Sequence, residues 1–184
     1  EDSARGLRAF LLADAESSGK RRNILSVPPF YSAEPEFLEE LLKKREIPAE
    51  DIDNILEFAR SQRELAEKIL KNGGITDEIP IISREEFERH PTVLPLSGMF
   101  YGKDICLTYD EYSEHIRQTE RFMQIHENYI AEFTKANAFR NLQILIHEGQ
   151  WAMISKGNAP AIHFVIHHPK LRSAIENFIP PVIE

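Results

Sequence analysis

The chain has 184 residues, of which 42% are hydrophobic and 28% carry a charge, and its formal net charge is -8. This is enough apolar material for one sizeable core or two small ones, so the composition excludes a disordered chain. The acidic balance also argues against direct binding of these residues to a nucleic-acid backbone, which requires clustered Lys and Arg.

A single cysteine, Cys106, bounds the redox chemistry of the chain. One thiol cannot form an internal disulfide or a multi-cysteine zinc site, so we expect a reducing compartment, by default the cytoplasm. Because its neighbours are Ile105 and Leu107, the thiol is predicted to be buried and inert. No apolar run approaches the ~20 residues that a membrane span needs, so we expect no membrane partner.

Helical spacing of apolar residues dominates the first half of the chain. It predicts a helix over residues 4–17, a short helix over 34–44 and a long helix over 48–72 that Gly73 ends. The polar run over 17–22 is predicted to be a solvated basic turn. For the long helix, a core-facing role is favoured and a contact between two subunits is the alternative.

From residue 91 onward the pattern changes to short strands separated by turns. Two of these strands are predicted at residues 93–96 and 104–107. Thr108 and Glu111 have the spacing of a capping box, which opens a helix predicted to end near residue 125. Another strand follows over 129–134.

The last quarter is predicted to be a three-stranded meander closed by a helix. Its strands are expected at residues 141–146, 151–155 and 161–167, with the first turn at Gly149. Pro169 suits the first position of the closing helix, because a fixed φ is favourable there.

The fold class predicted from these patterns is α+β. We expect a helical region over residues 1–90 and an α+β domain over residues 91–184, in which helices flank a mixed or antiparallel sheet. The boundary is placed where helical spacing gives way to alternation.

A polar loop after the strand at 129–134 is one candidate ligand site. Lys135, Asn137 and Arg140 could converge there on an anionic small molecule, because each offers hydrogen-bond donors. An irregular, solvated connection between two strands accounts for the same residues, and both interpretations stand.

Histidines on the last predicted strand are the second candidate. In an extended strand His163 and His167 point to the same side, about 6.6 to 6.8 Å apart, which allows two imidazoles to share a ligand. His147 could join them, and the Trp151 indole could line a small pocket. Satisfied polar residues on a partly buried strand are the alternative interpretation of these histidines.

Familiar catalytic and cofactor motifs are missing from the sequence. The loop Gly98–Lys103 fails the phosphate-binding pattern, since only three residues separate its glycines and no Ser or Thr follows the lysine. Two histidines without a third ligand do not make a metal site, and no G-x-S-x-G elbow is present. We therefore predict no catalytic residue, no metal and no cofactor.

Three segments resemble the C-terminal region of bacterial Cro-like helix-turn-helix transcriptional regulators. They are residues 96–105, 108–112 and 159–171. The resemblance implies a region that senses or assembles and that follows a DNA-binding domain. No helix-turn-helix lies in these residues, so we expect DNA to be contacted only through a domain missing from this chain.

The leading functional hypothesis is therefore the regulatory region of a transcriptional regulator, which forms a homodimer and binds a small effector. Two alternatives belong to other classes. One is a small cytoplasmic, hydrolase-like enzyme that uses His163 and His167, and the other is a stand-alone protein-interaction module.

Overall fold

Six α-helices and six strands make up the part of the chain that the computed structural model describes, namely residues 2–94, 105–135, 142–156 and 162–178. The helices are α1 (Asp2–Asp14), α2 (Pro35–Lys43), α3 (Ala49–Asn72), α4 (Arg84–Arg89), α5 (Tyr109–Ile125) and α6 (Pro169–Phe178). A 3-10 turn spans Phe30–Ser32. The strands are β1 (Gly19–Ile24), β2 (Gly73–Pro80), β3 (Tyr129–Thr134), β4 (Gln143–His147), β5 (Trp151–Lys156) and β6 (Ile162–Ile166).

All six strands belong to one mixed sheet with the order β3-β2-β1-β4-β5-β6. The pairs β1–β2 and β2–β3 are parallel, whereas β1–β4, β4–β5 and β5–β6 are antiparallel. The α+β class and the mixed sheet are thus confirmed. The sheet takes β1 and β2 from residues before the predicted boundary at residue 90 and the other strands from residues after it.

The solvated turn predicted at residues 17–22 is wrong, because most of this segment belongs to β1 at the centre of the sheet. Arg21 is buried and forms an ion pair with Asp14 at 3.0 Å. On the opposite face of the strand, Arg22 lies 3.7 Å from Glu78 of β2. Asp14 at the end of α1 and Glu78 of β2 therefore neutralise the charges that made β1 look like a turn.

Helices α3 and α5 cover the parallel half of the sheet. Their buried residues pack with those of β2 and β3 in one apolar cluster, comprising Leu25, Ala66, Leu70, Ile75, Ile79, Phe122, Tyr129 and Ala131. The front part of α3, with Ile52, Ile55 and Ala59, packs on α2 in a second cluster. The apolar face of α3 is therefore core, and the alternative of a subunit contact through it is wrong.

The predicted capping box at the start of α5 is confirmed. The Thr108 hydroxyl accepts from the Glu111 backbone N–H at 3.2 Å, and a Glu111 carboxylate oxygen accepts from the Thr108 N–H at 2.8 Å. Burial raises the pKa of Glu111, but the hydrogen bonds from Arg45 and Thr108 bring it below its usual value. This carboxylate ties the start of α5 to Arg45, which follows α2.

The meander and its closing helix are also confirmed. Gly149 takes a φ of 74° in the β4–β5 turn, a conformation that favours glycine. Helix α6 begins at Pro169 and places Ile175 against a small cluster formed by Ile24, Ile144, Ile146 and Ala152.

The predictions between residues 93 and 107 are tested only in part. Residues 95–104, which include the glycine loop, lie outside the described residues. Val93 and Cys106 form a single antiparallel bridge. The expectation of a buried thiol is wrong, because Cys106 is exposed while Ile105 and Leu107 point into the core.

Candidate functional site at the open edge of the sheet

A buried polar cluster fastens α1 to the sheet beside its antiparallel edge. The last residue of α1, Asp14, accepts a hydrogen bond from Trp151 Nε1 at 2.8 Å, and its same oxygen lies 2.8 Å from His147 Nδ1. Its other carboxylate oxygen accepts from Arg21 at 3.0 Å. Burial raises the pKa of Asp14, but hydrogen bonds from Trp151 and His147 and the charge of Arg21 hold it below its usual value.

His147 is committed to this cluster and faces no solvent. Its Nε2 lies 3.1 Å from the Ser18 carbonyl oxygen, so both ring nitrogens have protein partners. Gly19, with a φ of 133°, comes so close that a Cβ there would meet Nε2 at 2.6 Å. Position 19 therefore has room for glycine alone. Because both of its ring nitrogens are used, His147 does not join the other histidines as a ligand.

The other candidates on this half of the sheet are placed as follows. Trp151 is buried, with Phe10 of α1 edge-on at 5.2 Å, and its indole N–H is used by Asp14. His167 follows β6 and packs edge-on against Phe10 at 5.9 Å. The Nδ1 of His163 lies 2.8 Å from the Ser155 hydroxyl. The Trp151 indole is thus buried, and its N–H is already used by Asp14.

The two groups of candidate ligands do not form one site. Lys135 follows β3 at one edge of the sheet, and His163 lies on β6 at the other edge. Five strand spacings of about 4.8 Å separate these edges by about 24 Å. Asn137 and Arg140 lie outside the described residues.

No metal centre is assembled among the residues that the structure covers. No group of three or more His, Cys, Asp or Glu residues there is arranged to hold a metal ion. Ser155 and His163 make a hydroxyl–imidazole pair, but Ser155 is buried, so its hydroxyl is closed to a substrate. Within the same residues, no helix is long and apolar enough to cross a lipid bilayer.

A fully buried carboxylate lies in the parallel half of the sheet. Asp77 of β2 accepts from Asn23 of β1 at 2.7 Å, from Tyr129 of β3 at 2.8 Å and from Tyr31. Burial raises the pKa of Asp77 to about 6, although these three hydrogen bonds act in the opposite direction. The group joins three strands and the 3-10 turn within the core, and nothing in the local sequence pattern indicated it.

Several exposed apolar side chains lie together on the strand β6, whose histidines were its only feature noted from the sequence. Ile162 is 43%, Phe164 62% and Val165 37% exposed, so both faces of the strand meet solvent. β6 is last in the strand order, and no other described segment pairs with its outer edge. It contains neither proline nor Lys, Arg, Asp or Glu, the residues that usually protect such an edge.

Comparison with known proteins assigns no family to the chain. No protein-family model, no curated protein and no solved structure matches it. The resemblance to Cro-like regulators therefore remains an expectation from three segments of sequence.

Proposed function

We propose that the chain is the regulatory, self-associating region of a bacterial transcriptional regulator, and that it does not itself grip DNA. The observation that carries the proposal is the uncharged, exposed strand β6 in a chain whose net charge is -8. Exposed apolar edge strands are sites of strand pairing with another chain, and transcriptional regulators commonly work as two-fold dimers.

The charge distribution supports the second half of the proposal. Several arginines are held by carboxylates, among them Arg21 by Asp14 at 3.0 Å and Arg121 by Glu34 at 3.2 Å. A cation that is already paired releases fewer counterions from a phosphate backbone. An acidic chain with such pairs has little affinity to offer to duplex DNA.

The distance between the two candidate groups means that a small effector would use one of them and not both. An anionic small molecule would bind near Lys135 or near His163, because the width of the sheet separates them. The assembly role does not depend on which of the two is used.

Two measurements on the whole chain test the proposal. Light scattering or sedimentation over a range up to ~100 μM should show a mass that rises from monomer to dimer by mass action. A gel shift at ~150 mM salt should show no sequence-selective binding to duplex DNA. A chain that stays monomeric throughout, or that binds one duplex selectively below a micromolar, contradicts the proposal.

A further inference from the structure

We infer that two copies of the chain pair through β6, strand against strand and antiparallel, so that their two sheets become one continuous sheet across a two-fold axis at Phe164. This inference rests on the proposed function, because it names the partner and the geometry of the same self-association. The partner that we propose for the outer edge of β6 is a second copy of this chain.

The first argument is a row of apolar side chains that ends abruptly at the edge. The strand registers place Ile24 opposite Ile144, Ile144 opposite Ile154, and Ile154 opposite Phe164. Exposure increases along this row from 2% at Ile24 and 4% at Ile144 to 62% at Phe164. Cross-strand neighbours stabilise a sheet. Among the described strands, Phe164 has such a neighbour on its β5 side and none on its outer side.

The second argument is that β6 is self-complementary in this orientation. An axis through position 164 places Phe164 opposite its own copy and Ile162 opposite Ile166 of the second copy, all on one face. On the other face, His163 meets Val165 of the second copy. No pair contains Lys, Arg, Asp or Glu, so the arrangement brings no two such charges of the same sign together.

The third argument concerns charge, and it favours a second copy over an unrelated peptide. Two chains of net charge -8 repel each other over most of their surface, so they associate best where carboxylates are absent. β6 has no charged residue, and the neighbouring α6 carries both signs, with Arg172 3.4 Å from Glu176. By contrast, antiparallel self-pairing of β3 about its centre would bring Glu132 close to its own copy.

The size of the surface sets the expected strength. β6 has 5 residues and α6 has 10, whereas a stable interface of standard size uses about 20–30 residues from each partner. We therefore expect a dimer that dissociates in the micromolar range, which is a useful range for a regulated assembly.

Cysteine cross-linking tests the register directly. In a Cys106→Ser background, which removes the exposed native thiol, Phe164→Cys should form a disulfide-linked dimer with itself under mild oxidation. Opposed residues in an antiparallel pair have Cα atoms about 4.5–5.5 Å apart, within the reach of a disulfide. Ile162→Cys alone should not cross-link, but an equimolar mixture with Ile166→Cys should.

The mixture of Ile162→Cys and Ile166→Cys chains keeps Phe164, so it reports on the register even where loss of that ring weakens the dimer. A Phe164→Asp variant completes the test. It should reduce the dimer fraction at least ~10-fold, because it places two like charges opposite each other. The matched control is Ile130→Asp, which charges a 50% exposed side chain on the opposite edge strand and should leave the dimer mass unchanged.

The outcomes separate this inference from the proposed function. If the wild type dimerises and the Phe164→Asp variant dimerises equally well, the β6 geometry is overturned and self-association is left intact. The same holds if the Ile162→Cys variant cross-links with itself. A wild-type chain that is monomeric at ~100 μM overturns both. A monomer that instead binds an added extended peptide at β6 identifies a heterologous interaction module and also overturns the inference.

Discussion

The two halves of the sheet differ in how much of each is covered. In the parallel half, β1, β2 and β3 lie under α3 and α5, and even a carboxylate, that of Asp77, is enclosed with three donors. In the antiparallel half, neither β6 nor α6 has a fully buried residue. The parallel half is therefore covered by helices, whereas the end of the antiparallel half leaves the apolar side chains of β6 exposed.

The topology explains the difference. Parallel strands need long crossover connections, and here α3 and α5 are part of such connections and return over the sheet. Antiparallel strands need only short turns, as between β4 and β5, and such turns bring no helix with them. The end of the meander is therefore left with both faces in contact with water.

The largest loss of stability is expected from a charge in the core that α3 forms with α2. Ile55→Glu places an unpaired carboxylate at a fully buried position of α3 and should cost on the order of 4 kcal/mol or more. Circular dichroism with urea titration should show an unfolded or barely folded chain. Asn54→Glu, on the exposed side of the same helix, is the control and should unfold near the wild-type midpoint.

Removing the buried carboxylate should have the next largest effect. Asp77→Ala leaves Asn23, Tyr31 and Tyr129 without their shared acceptor, and we expect a loss of about 3 kcal/mol in the free energy of unfolding. Tyr129→Phe removes one donor only and should cost about 1 kcal/mol. Equal losses for the two variants would show that the carboxylate is not the centre of the group.

The same group predicts a specific pH dependence. Burial raises the pKa of Asp77 from 3.8 to about 6, so the folded state favours the protonated form. Its contribution to stability is fully present below pH 3.8 and is lost as the pH rises through about 6. Compared with the non-titrating Asp77→Asn variant, the wild type should gain stability as the pH falls from 6 to 4. A constant difference between the two unfolding curves across this window would contradict the prediction.

Releasing α1 should loosen its contacts with β1, β4 and β5. Asp14→Asn removes the charge that balances buried Arg21, and we expect a loss of about 2 kcal/mol. The chain has one tryptophan, Trp151, so a red shift of its emission would report local opening. Asp53→Asn, at an exposed position, should change neither quantity. Because the pKa of Asp14 is lowered, the stability that it supplies is present above its usual value of 3.8 and is lost as the pH falls through the folded value.

The smallest effect on stability is expected at the open edge. Phe164→Asp should change the free energy of unfolding by no more than about 0.5 kcal/mol when measured on dilute, monomeric chain. Introducing a carboxylate would then be severe at Ile55 and nearly silent at Phe164, which sharpens the contrast between the two halves. A large loss of stability in the dilute chain would mean that Phe164 belongs to the core.

Elements with strong local signals could be predicted from the sequence. The capping box of Thr108 and Glu111, the long apolar face of α3 and the Gly149 turn each involve residues close together in the chain. β1 could not be predicted, because its sheet partners β2 and β4 lie far along the chain and Glu78, the acid beside Arg22, belongs to β2.

The candidate site shows the same limit. Histidines are visible in a sequence, but the partners of His147 and the edge position of β6 depend on strand order, which no local pattern contains. The donors to Asp77 likewise come from three remote positions. The sequence therefore indicates which residue types a site could use, but it does not show which of them lie close together.

The central place of β1 also has a consequence for how the chain acquires its fold. Gly19 pairs with Gly73, and Arg21 pairs with His147, so the strand must find neighbours that are far along the chain. Such long-range pairing slows folding, since loop closure precedes the contacts that reward it. During synthesis β1 lacks its β4 neighbour until residue 147 has been made. The positive charges of Lys20, Arg21 and Arg22 favour hydration of the unpaired strand and oppose its pairing with copies of itself. Asp14 and Glu78 neutralise the two arginines once the sheet forms.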